Sequence, residues 1–178
     1  DALPAGCSIV TSNGTSTAYF NTKADSKAAC GAGSSGVLAG SATSVITFGL
    51  KLDPTVSGGE ATITLSGPST VWFGVGLGAQ AMADTPNAII VLGNGTVFEQ
   101  KLANQQAGDR LATSVTVVST SVSAGVRTVV LSRPFKGATA DHYTFDVANP
   151  SINFINAVGK ASAFAYHANK ASAKLLLA

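Results

Sequence analysis

Val71-Trp72-Phe73-Gly74-Val75-Gly76-Leu77-Gly78 alternates with a period of two. In an extended chain Val71, Phe73, Val75 and Leu77 point one way, and Trp72, Gly74, Gly76 and Gly78 point the other. One face is bulky and the other nearly bare. Glycine weakens a strand interior, so three at alternate positions imply that a flat group or another backbone approaches that face closely. The same period recurs over 45–52, 61–65, 88–92, 96–102, 114–121, 127–131, 143–147 and 161–167. Turn chemistry separates these runs in Asp53-Pro54, Ser57-Gly58-Gly59, Ser66-Gly67-Pro68, Gly93-Asn94-Gly95, Ala124-Gly125 and Asn149-Pro150. The reading is all-β: an antiparallel, immunoglobulin-like β-sandwich of about nine to eleven strands. Short helical turns are expected near 80–84 and 22–30, and the Gly/Ser/Ala-rich stretch 31–44 reads as a loop.

Composition agrees with one buried core. Of 178 residues, 46% are hydrophobic and only 11% charged, against about 25% charged in an average chain. Nineteen Ser and 18 Thr supply most of the polarity. The net charge is +2 with no run of like sign, so no footprint for nucleic acid or an anionic membrane is present. No apolar stretch approaches the roughly 20 residues a membrane-spanning helix needs. The expected organisation is a single domain over 1–178, in which 1–44 is a disulfide-containing, Gly/Ser-rich extension. The start, Asp1-Ala2-Leu3-Pro4, reads as a mature end left after removal of a signal peptide. Cys7 and Cys30 are the only cysteines and read as one disulfide formed in an oxidising, extracellular setting. Such a closure stabilises by roughly 3 to 4 kcal/mol in the chain-entropy picture. Asn13-Gly14-Thr15 and Asn94-Gly95-Thr96 are glycosylation acceptors, making Asn13 and Asn94 candidate glycan sites on a secreted glycoprotein.

Most catalytic constellations are absent. There are two histidines, His142 and His167, and no G-x-S-x-G elbow, which leaves a Ser-His-Asp hydrolase without support. Gly31-Ala32-Gly33-Ser34-Ser35-Gly36 fits a phosphate-loop pattern but follows no strand and opens no helix. The cysteines lack C-x-x-C spacing for zinc. Asp84, Asp109, Asp141 and Asp146 read as turn caps, with calcium binding as the alternative.

Met82 follows the bare-faced strand, and His167 ends a second stripe, Ala161, Ala163 and Ala165, cleared of bulk. If both faces line one cavity, the thioether and the imidazole approach from opposite sides. Met and His are a known axial pair for haem iron, and with both positions filled by protein the iron suits electron transfer. A lone Met is ordinarily core filler and a lone His a hydrogen-bonded structural residue, so spacing alone leaves the pair open.

The segments Trp72-Phe73-Gly74-Val75-Gly76, Met82-Ala83-Asp84, Ala88 to Val91, Arg133-Pro134-Phe135 and Ala165-Tyr166-His167 together resemble a DOMON domain. The likeness spans about 45–178 and is to the cytochrome b type, found in cellobiose dehydrogenases and in secreted cytochromes b. That resemblance implies a β-sandwich holding a non-covalent haem b between Met82 and His167. Trp72, Phe73, Phe98, Phe154 and Tyr166 are candidate walls of the slot, and Trp72, Phe73 and Tyr166 are assigned to the cofactor. The haem propionates are expected on Arg110, Arg127, Arg133 or Tyr166. His142, in a loop expected to be exposed, is the alternative to Met82 as ligand. The implied function is a secreted redox carrier, not a self-contained enzyme, working with a redox protein, a small redox molecule or a metal ion. Other DOMON relatives lack the Met and His, and that branch implies the alternative function, carbohydrate or small-molecule binding without haem.

Overall fold

The computed structural model describes the backbone of 7–12 and 15–20, and all of 36–178. The chain divides into two units, Asp1–Ser34 and Ser35–Ala178. In the first, β1 (Cys7–Ser12) and β2 (Thr15–Phe20) form an antiparallel hairpin from Cys7 opposite Phe20 to Ser12 opposite Thr15. Cys30, the Cys7 side chain, Asn13 and the helical turn expected at 22–30 lie outside the described residues.

The second unit is a sandwich of eleven strands in two antiparallel sheets. Its strands are β3 (Leu38–Thr43), β4 (Thr47–Asp53), β5 (Glu60–Pro68), β6 (Phe73–Leu77), β7 (Asn87–Val91), β8 (Val97–Ala103), β9 (Gln106–Arg110), β10 (Thr116–Ser123), β11 (Val126–Pro134), β12 (Ser151–Gly159) and β13 (His167–Leu176). One sheet runs β10-β11-β5-β4-β3 and the other β13-β12-β6-β7-β8-β9. A single 3₁₀ turn, Met82–Asp84, joins β6 to β7 within the stretch where a helical turn is expected. Among the described residues no helix is long and apolar enough to cross a membrane.

Alternation makes this fold. Phe48, Leu50, Leu52, Ile63, Leu65, Val129 and Leu131 from one sheet meet Phe73, Val75, Leu77, Ile89, Val91 and Phe154 from the other. Each fully buried side chain of this size contributes about 1.5–3 kcal/mol through the water it leaves. Phe48 and Phe154 pack edge to face across the layers at 5.0 Å. The opposite residues of the six-stranded sheet build a second apolar cluster of Trp72, Ala88, Ile90, Phe98 and Leu102, joined by Met82, Ile155 and Phe164. This sheet is thus apolar on both faces, and its second face carries the site.

Four local expectations change. Leu38–Thr43 is a strand because it pairs with β4, so the loop expected over 31–44 ends earlier. Residues 143–147 alternate but form no strand; they are a loop packed on the core through Tyr143 and Phe145. Residues 161–166 are turns, and the last strand begins only at His167. Ser151–Gly159 and Gln106–Arg110 are strands that the alternation reading passed over.

Candidate functional site

The second face of the six-stranded sheet floors a cavity of about 930 Å³. Trp72, Gly74, Gly76, Ala88, Ile90 and Ala157 supply the floor from β7, β12 and the β6 segment, and Leu102 the side toward β8. Two connections wall it. One is the β6–β7 segment with Gln80, Ala81, Met82 and Ala83, and the other runs from Phe164 through Ala165 and Tyr166 to His167. Asn104, Gln105 and Gln106 from the β8–β9 turn, and Lys170 and Ser172 from β13, complete the lining.

Gly74 and Gly76 of the glycine stripe lie on the cavity face, for a partly different reason than a flat ligand, whereas Gly78 turns out of the stripe and meets the Tyr143 ring. A Cβ on Gly74 would stand 2.7 Å from both the Ile89 carbonyl oxygen and Ile90 Cδ1, and one on Gly76 would stand 2.8 Å from Ile155 Cγ1. Neighbouring isoleucines occupy the space the glycines leave.

Met82 is held by its turn. Gly78 adopts a left-handed conformation (φ +70°), and its N–H donates to the Asn153 carbonyl at 2.9 Å. A side chain there would also collide with the Tyr143 ring. The Asp84 carboxylate accepts from the backbone N–H groups of Gln80 (2.8 Å) and Ala81 (3.0 Å). These bonds hold the Asp84 carboxyl below the usual carboxylate range, the Gln80 bond most.

His167 is held by the loop before it. Trp72 N–H donates to the Ala161 carbonyl (2.9 Å), Gly159 N–H to the Trp72 carbonyl (2.7 Å) and Gly93 N–H to the Ser162 carbonyl (3.0 Å). The indole of Trp72 rests where a Gly159 side chain would stand. The ladder between β12 and β13 then breaks register between Val158 and Gly159, so that Gly159 pairs with His167. The Tyr166 and His167 rings lie 4.4 Å apart, tilted by 35°. Desolvation, with Lys170 and then Lys160 nearby, lowers the His167 pKa below the ordinary histidine range, favouring the neutral imidazole.

Other assignments move. Phe73 is fully buried in the inter-sheet core, as is Phe154, so neither lines the cavity. Period two decides this: Phe73 must face away from Trp72. Phe98 lies in the second cluster beneath Arg110, whose guanidinium carbon is 3.4 Å from the ring centroid. Trp72 is buried at the cavity, its Nε1 without a hydrogen-bond partner among the described residues, while Tyr166 is 76% exposed. The three arginines are elsewhere. Arg127 donates to the Ser69 and Gly93 carbonyls, and Arg133 donates to the Tyr143 carbonyl beneath Phe145. Lys170, not flagged by the sequence, is the cation at the cavity.

His142 is a correction: it is 4% exposed, not on an open loop. Its ring nitrogens meet Thr139 Oγ1 (2.8 Å) and the Ala112 carbonyl (3.0 Å), and Nε2 stands 3.9 Å from the buried Glu99 carboxylate. It does not line the cavity that holds Met82. Asp141 pairs with Lys101 at 3.6 Å and Asp146 accepts from Ala148 N–H at 2.8 Å. Among the described residues no three His, Cys, Asp or Glu side chains converge on one point. Asn94 is exposed in the β7–β8 turn, where its Oδ1 accepts from Thr96 N–H at 2.9 Å.

No protein-family model matches the chain, and no curated protein matches its sequence. Solved structures do match. The cytochrome b domain of pyranose dehydrogenase from Coprinopsis cinerea superposes with a TM-score of 0.54 at 16% identity, over 72% of this chain and 75% of that one. The chain has the fold of that cytochrome b domain. The cytochrome domain of Myriococcum thermophilum cellobiose dehydrogenase matches at a TM-score of 0.49 and 13% identity, over 78% of this chain and 88% of that one.

The residues around the cavity suit haem b on their chemistry. A neutral thioether and a neutral imidazole are both competent iron donors. Trp72, Ile90, Leu102 and Phe164 offer the apolar contact a porphyrin needs, and Lys170 offers a cation for a carboxylate arm. About 930 Å³ lies at the upper end of the roughly 300–1,000 Å³ typical of small-ligand sites.

Proposed function

We propose that the chain is a haem b electron-transfer module in which Met82 and His167 are the axial donors. The observation that carries this reading is that these two side chains, from distant parts of the sequence, line one largely apolar cavity on a sandwich with the fold of a cytochrome b domain. Haem b held with both axial positions filled would exchange single electrons and leave no open position for dioxygen or peroxide. The work of the protein is then positional. The Asp84-tied turn presents the Met82 thioether, and the β12–β13 bulge presents the His167 imidazole. Trp72, Ile90, Leu102 and Phe164 keep water out, which holds the site at low dielectric. Lys170 would pair with a propionate of the bound haem, the role expected from the sequence of Arg110, Arg127, Arg133 or Tyr166.

The redox partner belongs to the classes named above: a protein, a small redox molecule or a metal ion. An extracellular setting, a Cys7–Cys30 disulfide and glycans on Asn13 and Asn94 complete the proposal; the Ser/Thr-rich, charge-poor composition supports the setting. The amide residues Gln80, Asn104, Gln105 and Gln106 in the cavity lining favour a second reading, a carbohydrate or small-molecule binder without haem. Incubation of the purified chain with haemin separates the two. The expected result is a Soret band and, on reduction, sharp α and β bands of a low-spin, six-coordinate iron. A chain that remains colourless, yet quenches its Trp72 fluorescence on titration with oligosaccharides, would establish the second reading instead.

A further inference from the structure

Folding concentrates charge that the sequence spreads out. Residues 147–178 contain Lys160, Lys170 and Lys174 and no Asp or Glu, although the chain has nine acids in all. That stretch builds β12, the following loop and β13, and β13 is the terminal strand of the six-stranded sheet. Lys160 lies in the loop, Lys170 at the cavity, and Lys174 four residues along the same strand, on the same side of the pleat. All three are exposed. Among the described residues none forms an ion pair, whereas Lys51 and Lys101 pair with Asp53 and Asp141. Tyr166 is 76% exposed with its ring against that of His167, whose imidazole feels the charges of Lys170 and Lys160.

Lysines on an edge strand commonly deter pairing with another sheet. That explanation reaches Lys170 and Lys174 but not Lys160, which is in a turn, nor the large exposed aromatic ring beside His167. A cationic surface that carries an exposed aromatic ring has the make-up of an interface hot spot with a steering rim.

We propose that the face formed by Lys160, Tyr166, Lys170 and Lys174 is the docking surface for an acidic redox protein. This rests on the reading of Met82 and His167 as the haem site. The partner meets the module at the edge where His167 comes nearest to solvent, with Tyr166 as the contact residue. Complementary charge raises the encounter rate by 10- to 1,000-fold in favourable cases. With a Debye length of about 10 Å at 0.1 M salt, the advantage fades as ionic strength rises.

Two measurements test the face. In the full chain without haem, titration with a decaglutamate peptide is followed by amide NMR. The expected shifts fall on 160–174 and vanish at high salt; shifts centred on Lys51 or Lys136, or none, overturn the proposal. In the haem-loaded chain, oxidation of the reduced form by hexacyanoferrate(III), an anion, is compared with oxidation by hexaammineruthenium(III), a cation; each accepts one electron. Lys160→Gln with Lys174→Gln should slow the anionic reaction by about 3- to 10-fold at low salt, without slowing the cationic one and with haem content unchanged. Equal effects on both reactions would overturn the proposal while leaving the haem reading intact. A colourless chain whose 160–174 amides still respond to decaglutamate would sustain the cationic docking surface for an acidic protein and remove the haem reading.

Discussion

Gly159 pairs with His167, although the partners from Ser151 opposite Leu176 to Val158 opposite Asn169 lead the ladder toward Ala168. One extra residue therefore enters β13 at this point. The consequence is a change of face. Leu175 and Ala173 pack on the inter-sheet core, and a period of two carried back from them would aim residue 167 at the same core. The bulge reverses that parity and turns His167 to the cavity face.

Deleting Ala168 removes that extra residue and should leave His167 directly before Asn169, opposite Gly159 in an uninterrupted ladder and still on the cavity face. We expect the variant to keep both its β-sheet circular dichroism and its six-coordinate haem spectrum, whereas His167→Ala loses the spectrum. Loss of the sharp α and β bands in the deletion variant would show that the strand parity at Gly159 does not by itself orient the ligand.

The sandwich was legible because its central strands alternate cleanly, each burying one face: Ile63 and Leu65 in β5, Val129 and Leu131 in β11. Strands were missed where alternation carries no apolar contrast. Gln106–Arg110 is exposed throughout and exists only as the partner of β8. Ser151–Gly159 interleaves Asn153 and Asn156 with its apolar residues, and Asn156 is buried because its amide is used: Oδ1 accepts from Val45 and Ile46 N–H and Nδ2 donates to the Ala171 carbonyl. Residues 143–147 misled in the opposite sense, their aromatics being anchored by Arg133 beneath Phe145 instead of by a neighbouring strand. In the site, Met82, Trp72 and His167 could be named from the sequence. Lys170 could not, since its arrival at the cavity depends on the β12–β13 register. Phe73 was excludable in advance, because it cannot share a face with Trp72.

Met82→His should keep the iron six-coordinate but lower its reduction potential, since a thioether favours the reduced metal more than an imidazole does. The change is expected to be a modest part of the roughly 0.8 V that axial ligands span. Spectroelectrochemical titration reads it directly; an unchanged potential would mean that residue 82 does not reach the iron. Met82→Ala should give a five-coordinate or weakly ligated spectrum.

His142→Ala separates the buried histidine from the ligand question. The imidazole bridges Thr139 and the Ala112 carbonyl beside Glu99, so its loss leaves buried polar groups unpaired. Destabilisation of about 1–3 kcal/mol in urea unfolding is expected, with the haem spectrum intact. Loss of the six-coordinate bands with unaltered stability would instead make His142 the ligand.

Gly78→Ala tests the turn that carries Met82. The residue sits at φ +70°, and an added methyl meets the Tyr143 ring, so strain and steric conflict act together. Positive φ alone disfavours alanine by about 1 kcal/mol, and a clash with a partly buried ring adds about 1–3 kcal/mol more. Relief can come only by moving Tyr143 or by shifting the 78–86 segment, and the second route displaces the thioether. The expected phenotype is therefore double: a lower urea midpoint, and a haem spectrum that gains a high-spin component. Gly125→Ala is the control, since Gly125 also has positive φ (+78°) but nothing stands within 4 Å of its missing Cβ. It should show the smaller stability loss and no spectral change; equal spectral effects in the two variants would dissociate the Gly78 turn from ligation.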